Sequence, residues 1–553
     1  MRYTALPIEG VRRMIGLSSA DHRFSPPVLD IPRDYNAAHD LIERNLRAGR
    51  GRKTAYIDDA GSYSYGELAE RVNRCANALL GLGLQPEQRI LLCLQDTIDF
   101  PTVFLGAIKA GIVPVAVNTA LKTRDYDYML RDSRARALFV SAALLPNFVP
   151  LLRQIPCLQH VVVSNATDAG LASLEALLQR ASPLFDPAET CCDDPCFWLY
   201  SSGSTGAPKG TIHVHSSLIQ TAELYARPIL GLCESDVVFS APKLFFAYGL
   251  GNGLTFPLAA GATAVLMAER PTPEAVFARL QQYRPTIFSG VPTLYAAMLS
   301  SKLPTPESLA LRACISAGEA LPREMGERWK RHFGVDILDG IGSTEMLHIF
   351  LSNRPGDVYY GTTGSAVPGY QLRLVDDDGH PVPPGQIGEL QISGPSRAQA
   401  YWNNREKTTH TFQGSWVRSG DKYYVDERGH YVYAGRSDDM LKVSGIYVSP
   451  AEVESVLVSH PAVLEAAVIG AEDAEGLIKP LACVVLKASA QRSPALADEL
   501  KLHVKSLLAP HKYPRRIEFL DELPRTATGK IQRFKLREQF GRTLDGSGPA
   551  GAH

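Results

Sequence analysis

Residues 201–210 of this sequence, SSGSTGAPKG, combine glycines, hydroxyl side chains and one lysine directly after an apolar stretch, residues 197–200. Glycines let a backbone turn sharply and bring its N–H groups against a ligand, while hydroxyls and a lysine add donors and positive charge. This combination predicts an oligophosphate site. It is not a Walker A loop, because Pro208 precedes Lys209 and Gly210 follows it. A Gly/Ser surface turn is the simpler alternative.

Four further segments follow this loop in order along the chain. They are IGSTE (341–345), WVRSGD (416–421), GRSDD (435–439) and PRTATGK (524–530). Together the five segments resemble the signature of the adenylate-forming superfamily, which includes acyl-CoA synthetases, adenylation domains of peptide synthetases and luciferases. The resemblance extends over roughly residues 34–540. It implies an enzyme that joins a carboxylate to the α-phosphate of ATP while pyrophosphate leaves.

The resemblance implies roles for the residues around the phosphates. Thr205 would lie close to Mg²⁺ and Glu345 would bind it, since this hard cation prefers carboxylate oxygen; a solvated loop carboxylate is the alternative for Glu345. Thr344 would bond the α-phosphate, and Lys209 would lie near the leaving pyrophosphate. Thr205, Glu345 and Lys530 are the expected catalytic residues. The loop residues expected to hold the β- and γ-phosphates are Ser202, Gly203, Ser204, Thr205, Gly206 and Lys209.

The resemblance also implies a nucleoside site. Asp421 matches the carboxylate that accepts hydrogen bonds from both ribose hydroxyls, and Arg436 would lie near the ribose and the phosphates. Alone, Ser-Gly-Asp and Gly-Arg are weak signals, because turns favour Gly and Asp for local reasons. Two more segments match those that sandwich the adenine, and their residues are Ala317, Gly318, Glu319, Asp339, Gly340 and Ile341.

Lys530 lies in a basic stretch, where a lysine by itself is usually part of a solvated face. The resemblance implies instead that it bridges the substrate carboxylate and the α-phosphate, where negative charge accumulates. A lysine so distant in sequence reaches the site only if a small domain closes over a large one. Asp438 matches the pivot of that motion. The residues expected to face the site for the second reaction, with coenzyme A, are Lys442, Ser444, Gly445 and Tyr447.

The acid pocket is expected to be apolar and free of charge. Its candidate residues are Phe246, Ala247, Tyr248, Gly249, Gly340, His348 and Ile349. Peptide-synthetase adenylation domains carry an Asp where this chain has Ala247, so the ammonium of an amino acid would be buried without a partner, which is costly. A flat apolar pocket favours an aromatic ring. These segments resemble those of benzoate–CoA ligases, and that resemblance implies conversion of benzoate to benzoyl-CoA with ATP, Mg²⁺ and coenzyme A.

Other interpretations remain open at this point. The chain could be a ligase for a hydroxy- or aminobenzoate, an adenylation enzyme that loads an aryl acid onto a carrier protein, or an adenylate-binding relic without activity. The three residues expected in catalysis are all present, which speaks against a relic. His348 could face the substrate or simply pack. His213 and His215 alternate as residues on one face of a strand do, and are expected to be structural.

Composition limits the class of protein. The 553 residues carry 57 Lys and Arg against 58 Asp and Glu, so nothing indicates a nucleic-acid partner. The N-terminus has no apolar run typical of a signal peptide or membrane span. The nine cysteines form no C-x-x-C pair, which favours reduced thiols over a zinc site. We therefore expect a cytoplasmic enzyme, monomer or homodimer, that acts on small molecules.

The segments that must position these residues alternate between helix and strand. Segments with helical spacing, 67–82 and 100–110, alternate along the chain with short apolar runs, 89–94 and 112–117. This alternation indicates an α/β fold of parallel sheets covered by helices. The expected division is an N-terminal extension at 1–33, a large domain at 34–436 with a β-rich subdomain at about 364–434, a small mobile α+β domain at 437–545 and a flexible tail at 546–553.

Overall fold

The computed structural model describes residues 15–165, 170–201, 207–437, 439–443, 446–473, 477–488, 490–509, 512–525 and 531–541. Up to residue 201 the strands are β1 (Ser19–Asp21), β2 (Val28–Asp30), β3 (Thr54–Asp58), β4 (Gly61–Ser64), β5 (Arg89–Cys93), β6 (Val113–Ala116), β7 (Ala137–Ser141), β8 (His160–Ser164), β9 (Ala172–Ser173) and β10 (Pro195–Ser201). The helices are α1 (Ala37–Arg47), α2 (Tyr65–Gly81), α3 (Asp99–Lys109), α4 (Thr123–Ser133) and α5 (Leu174–Arg180).

The middle of the chain continues this alternation. Its strands are β11 (Lys209–Val214), β12 (Val237–Ser240), β13 (Thr263–Val265), β14 (Ile287–Gly290), β15 (Ala313–Ser316), β16 (Ile337–Gly342), β17 (Ile349–Ser352) and β18 (Ser365–Ala366). Its helices are α6 (His215–Thr221), α7 (Ala247–Leu250), α8 (Phe256–Ala260), α9 (Pro273–Tyr283), α10 (Pro292–Ser300) and α11 (Arg323–Phe333). Two π-helical turns, Ala222–Ala226 and Gly251–Thr255, extend α6 and α7.

Strands dominate the region that follows, and a smaller α/β part ends the chain. The strands are β19 (Gln371–Val375), β20 (Gly388–Ser393), β21 (Ala400–Tyr401), β22 (Phe412–Gln413), β23 (Trp416–Val425), β24 (Tyr431–Arg436), β25 (Leu441–Val443), β26 (Ile446–Val448), β27 (Val463–Glu472), β28 (Ile478–Leu486) and β29 (Arg516–Leu520). The helices are α12 (Arg405–Thr411), α13 (Pro450–Ser459), α14 (Pro494–Leu507) and α15 (Arg533–Phe540).

Two mainly parallel sheets form the core of the large N-terminal domain. The first has the order β21-β11-β10-β6-β5-β7-β8-β9, and the second the order β18-β17-β16-β15-β14-β12-β13-β3-β4. The central strands of both are parallel, and antiparallel strands lie at one edge of the first and at both edges of the second. Their apolar runs are buried because helices cover the faces. The expected α/β fold is confirmed.

Helix α2 shows how local sequence sets an element of this fold. Ser64 caps it: its hydroxyl accepts the N–H of Glu67 at 3.2 Å, and the Glu67 carboxylate accepts the Ser64 N–H at 2.7 Å. This reciprocal pair satisfies two N–H groups that the first turn leaves without partners. The buried face carries apolar residues at helical spacing, namely Leu68, Val72, Cys75, Ala76 and Leu79.

A smaller sheet system and the small C-terminal domain complete the fold. Strands β19, β20, β23 and β22 form an antiparallel sheet, and β24 also pairs with β23, as the β-rich prediction for this region implies. In the small domain, β27, β28 and β29 form one sheet and β25 pairs with β26. Among the described residues, no helix combines the length and apolar character that crossing a membrane requires. All nine cysteines, each in a described part of the chain, are free thiols.

The N-terminal extension is more ordered than the sequence predicts. Strands β1 and β2 pair as an antiparallel hairpin within it. Side chains beside this hairpin anchor it to the large domain: the Ser18 hydroxyl donates to Asp40 at 2.6 Å, and His22 lies 2.7 Å from Glu223. The prolines of this segment suggested an irregular chain, and these distant partners cannot be read from local sequence.

Candidate active site

The fold brings three of the predicted segments to one edge of the second sheet. Residues 241–249 follow β12, residues 317–319 follow β15, and residues 343–345 follow β16. Because β12, β14, β15 and β16 run parallel, their carboxyl ends lie at the same edge. Ligands of open α/β sheets bind at such edges. The phosphate-loop segment joins β10 to β11, which pair antiparallel up to Ser201 and Lys209.

Glu345 and Lys209 meet at the ring of Tyr401. The Tyr401 hydroxyl donates to Oε1 of Glu345 at 2.6 Å, and Nζ of Lys209 lies 4.5 Å from the centre of the Tyr401 ring. Burial lowers the pKa of Lys209, while the nearby Glu345 carboxylate acts to raise it. Glu345 offers carboxylate oxygens at a half-buried position, so its donor set fits a hard divalent cation. Tyr401 carries no motif signal, and sequence reasoning missed it.

The backbone at Thr344 is held by a buried histidine. Nε2 of His213 donates to the Thr344 carbonyl oxygen at 2.8 Å, and the His213 ring stacks on Phe197. His215 accepts the N–H of Ala37 through Nδ1 at 3.1 Å. Burial lowers the pKa of both histidines to about 4, so both are neutral at physiological pH. Both are structural, as expected, but only His213 lies on a strand, β11, because His215 begins α6.

The segment expected to line the acid pocket folds tightly upon itself. Gly249 is required there, because a Cβ would lie only 2.0 Å from the carbonyl oxygen of Lys243. Phe246 contacts Phe245 with ring centres 4.5 Å apart, and Tyr248 donates its hydroxyl to the Gly290 carbonyl at 3.2 Å. Ala247 begins α7 and is partly exposed. This expected wall, residues 246–249, is therefore closely packed, carries two aromatic rings and has no charged side chain.

His348 is packed within this wall. It is 2% exposed, and its Nε2 donates to the Tyr248 carbonyl at 3.3 Å. Its ring contacts Tyr225 and Phe256, and burial lowers its pKa to about 3. Two other expected pocket residues adjoin it: Gly340 and Ile349 face each other so closely that a Cβ on Gly340 would lie 3.0 Å from the Ile349 side chain. Of the two interpretations of His348, the packed one matches this geometry.

The residues expected around the nucleoside lie in the loop after β15 and on strands β16, β23 and β24. Glu319 accepts the Thr293 hydroxyl at 2.8 Å and lies 3.6 Å from Arg525 of the small domain. Gly318 has a φ of +94°, which favours glycine. The Asp421 carboxylate is bound by Arg436 at 2.9 Å. The remaining residues of this group include Ala317, Ile341 and Asp339, and burial raises the pKa of the Asp339 carboxyl.

Several expected site residues lie outside the described residues. They are Ser202, Gly203, Ser204, Thr205 and Gly206 of the phosphate loop, Asp438, Ser444, Gly445 and Lys530. Lys442 and Tyr447 occupy paired positions on β25 and β26. The roles expected for all of these residues stay predictions.

Comparison with known families identifies the class of the chain. The model described as AMP-binding enzyme matches residues 42–402, and the model of the AMP-binding enzyme C-terminal domain matches residues 452–530. The chain belongs to the AMP-binding enzyme family. Both matches include segments recognised in the sequence, the phosphate loop in the first and the segment of Lys530 in the second.

Individual members of the AMP-binding enzyme family are similar over nearly the whole chain. Identity to the benzoate–CoA ligase of Thauera aromatica is 67% over 527 residues, 95% of this chain and 100% of that protein. Identity to the 4-hydroxybenzoate–CoA/benzoate–CoA ligase of Rhodopseudomonas palustris is 52%, over 92% of this chain and 94% of that protein. The crystal structure of a benzoate CoA ligase from Burkholderia xenovorans superposes with a TM-score of 0.85 at 59% identity, covering 91% of this chain and 100% of the other.

Proposed function

We propose that this protein is an ATP-dependent benzoate–CoA ligase, which forms benzoyl-adenylate and then benzoyl-CoA, AMP and pyrophosphate. The observation that carries the proposal is a closely packed aromatic segment without a charged side chain, residues 246–249, on the same sheet edge as Glu345. The names of the relatives from Thauera and Burkholderia support the same substrate. An apolar slot accepts a flat ring and offers no partner for an ammonium group.

The described side chains support a division of labour in the first half-reaction. Lys209 supplies positive charge to the phosphates beside the loop, and Glu345 offers the carboxylate that holds Mg²⁺. When bound, Mg²⁺ neutralises charge on the phosphates of ATP. Asp421 receives the ribose hydroxyls, while Arg436 orients its carboxylate at 2.9 Å. Catalysis of this kind depends on positioning and charge neutralisation more than on proton transfer.

The assignments outside the described residues belong to the same proposal. Thr205 assists in holding the metal, and Lys530 bridges the substrate carboxylate and the α-phosphate. Residues 437–545 form a small domain that turns about Asp438, so that Lys442, Ser444, Gly445 and Tyr447 face coenzyme A in the second half-reaction. The ion pair between Arg525 and Glu319 supports closure of this domain over residues 317–319, which are expected at the nucleoside. We further infer a cytoplasmic protein, with which the nine free thiols agree. We also infer a monomer or homodimer, which size-exclusion chromatography can test.

Incubation of the purified protein with ATP, Mg²⁺, coenzyme A and benzoate tests the proposal. Benzoyl-CoA, AMP and pyrophosphate should appear in equal amounts by liquid chromatography and a coupled pyrophosphate assay. ADP and phosphate in their place would contradict an adenylate mechanism. Phenylalanine and palmitate serve as matched non-substrates.

A ligase for a substituted benzoate is the second candidate. The relative from Rhodopseudomonas, whose name includes 4-hydroxybenzoate, favours it. One hydroxyl in an apolar pocket changes binding by only about 1–3 kcal/mol, so the ratio of kcat/KM for benzoate and its hydroxy and amino derivatives decides between the two. Acylation of a carrier protein in place of coenzyme A would instead support an adenylation enzyme that loads an aryl acid onto such a protein.

A further inference from the structure

Tyr401 joins two parts of the site that come from distant segments. It lies on the two-residue strand β21, which pairs antiparallel with β11 through Thr211. The backbone on either side completes the attachment: the Ala398 N–H donates to the Glu345 carbonyl and the Trp402 N–H to the Gly210 carbonyl, both at 2.7 Å. Residues 398–402 therefore bind the backbone of Glu345 and the strand that carries Lys209.

The Tyr401 hydroxyl holds the Glu345 carboxylate in one orientation. Tyr401 is 4% exposed, and its hydroxyl lies 2.6 Å from Oε1, a length typical of a hydrogen bond to a charged acceptor. The Glu345 carboxylate offers only acceptor atoms, so the Tyr401 hydroxyl is the donor of this bond. A carboxylate has about four acceptor positions, and this bond occupies one of them, on Oε1. No described side chain hydrogen-bonds Oε2, which can therefore face a cation in the plane that the Tyr401 bond sets.

The ring of Tyr401 has a separate contact. Nζ of Lys209 lies 4.5 Å from the ring centre, within the distance at which an ammonium is attracted by an aromatic face. Burial makes hydration of this ammonium poorer and lowers its pKa. The ring face therefore replaces part of the water that an exposed lysine would have, and limits where the ammonium can point.

We propose that Tyr401 is a positioning residue with two separable roles. Its hydroxyl aims the Glu345 carboxylate at the divalent cation, and its ring holds the Lys209 ammonium toward the phosphates of ATP. The inference rests on the proposed use of ATP and Mg²⁺, and it is independent of which acid the enzyme activates. A Tyr401 that merely packs, against Phe412 at 5.3 Å between ring centres, would carry neither role.

Two substitutions separate these roles. Tyr401→Phe removes the hydroxyl and keeps the ring, while Tyr401→Leu removes both. Tyr200→Phe is the matched control, because Tyr200 also donates its hydroxyl to a half-buried carboxylate, that of Asp132 at 2.7 Å, rather than to Glu345. The measurements are Mn²⁺ affinity of the enzyme–ATP complex by electron paramagnetic resonance, and ATP affinity in EDTA by calorimetry.

Tyr401→Phe should weaken Mn²⁺ binding on the order of 10-fold, as loss of a partner to a metal ligand does, and leave ATP affinity in EDTA unchanged. Tyr401→Leu should show the same loss and also weaken ATP in EDTA by about 3-fold, because the cation–π contact is gone. If Tyr401→Leu does not fold by circular dichroism, Tyr401→Met takes its place.

Wild-type Mn²⁺ affinity in Tyr401→Phe would overturn the role of the hydroxyl. Equal ATP affinity in EDTA for Tyr401→Phe and the variant without a ring would overturn the role of the ring. A similar metal defect in Tyr200→Phe would show that the effect is not specific to Glu345. If the benzoate assignment is wrong, the result differs: the wild-type protein binds ATP and Mn²⁺ but forms no benzoyl-CoA in the product assay.

Discussion

Asp96 is a buried carboxylate that holds the backbone of Leu244, and its replacement gives a prediction with a definite sign. It is 3% exposed, and both of its oxygens accept the N–H of Leu244, at 3.2 and 3.3 Å. Leu244 begins the segment that leads into residues 246–249. Burial raises the pKa of Asp96 from 3.8 to about 6, and the nearby Lys243 opposes the rise. The folded protein therefore favours the neutral form of this group.

The expected magnitude follows from this rise in pKa. A folded-state pKa above the unfolded value means that the native state binds more protons between about pH 4 and 6, so the group costs stability as pH increases through that window. Relative to a group that stays neutral, this rise in pKa lowers the free energy of unfolding by about 3 kcal/mol at pH 8 and by roughly half of that at pH 5. Asp96→Asn keeps an oxygen that accepts the Leu244 N–H but carries no charge. It should raise the free energy of unfolding by about these amounts.

Asp236→Asn is the matched variant with the opposite sign. Asp236 is equally buried, but although burial alone would raise its pKa, hydrogen bonds from Arg312 and Thr286 lower it to about 2. Its charge thus stabilises the fold above the unfolded pKa, and this contribution is lost as pH falls from about 4 to 2. Asp236→Asn should therefore lower the free energy of unfolding by about 2 kcal/mol at pH 8.

Urea denaturation at pH 5 and pH 8, followed by tryptophan emission, measures both variants. All four tryptophans lie between residues 198 and 416, so emission reports the large domain without the small one. Asp96→Ala completes the series: it leaves the buried Leu244 N–H without an acceptor, which costs about 1–3 kcal/mol. It should raise the KM for benzoate more than Asp96→Asn does. Destabilisation of Asp96→Asn at pH 8, or a change that is the same at both pH values, would refute this reasoning.

Three further predictions concern the reaction. Lys530→Ala should lose adenylate formation by orders of magnitude yet convert preformed benzoyl-adenylate and coenzyme A at nearly the wild-type rate; equal loss in both half-reactions would refute the two-pose mechanism. Arg525→Gln removes two partly exposed ion pairs, with Glu319 at 3.6 Å and with Glu465 at 2.9 Å, each worth about 0.2–1 kcal/mol. Loss of the Glu319 contact should slow pyrophosphate exchange by about 2- to 5-fold, while thioester formation from the adenylate stays unchanged. Gly251→Ala places a Cβ 2.3 Å from the buried ring of His348 and must displace it. The KM for benzoate should then rise by about 10-fold or more while the KM for ATP stays constant. A wild-type KM for benzoate would place His348 away from the pocket.

The sequence alone identified the chemistry of the site because that chemistry depends on short contiguous segments. The phosphate loop and residues 341–345 are recognisable from residue types that a phosphate or a metal requires at fixed local spacing. Helix and strand types were predictable for the same reason: apolar spacing and the Ser64 cap of α2 act within a few residues. The hairpin β1–β2 was not predictable, since its anchors at Asp40 and Glu223 are distant in sequence.

Only the tertiary structure decided how the segments act on one another. Tyr401 reaches Glu345 across 56 residues, and Asp96 reaches Leu244 across 148. His348, which the sequence left between two interpretations, is packed into the wall because Gly251 leaves room for its ring. Such contacts join side chains that no local pattern relates, and their geometry follows from how two sheets pack and where their strands end. Residue types thus determine which reaction the chain can support, and long-range packing determines which side chains orient it.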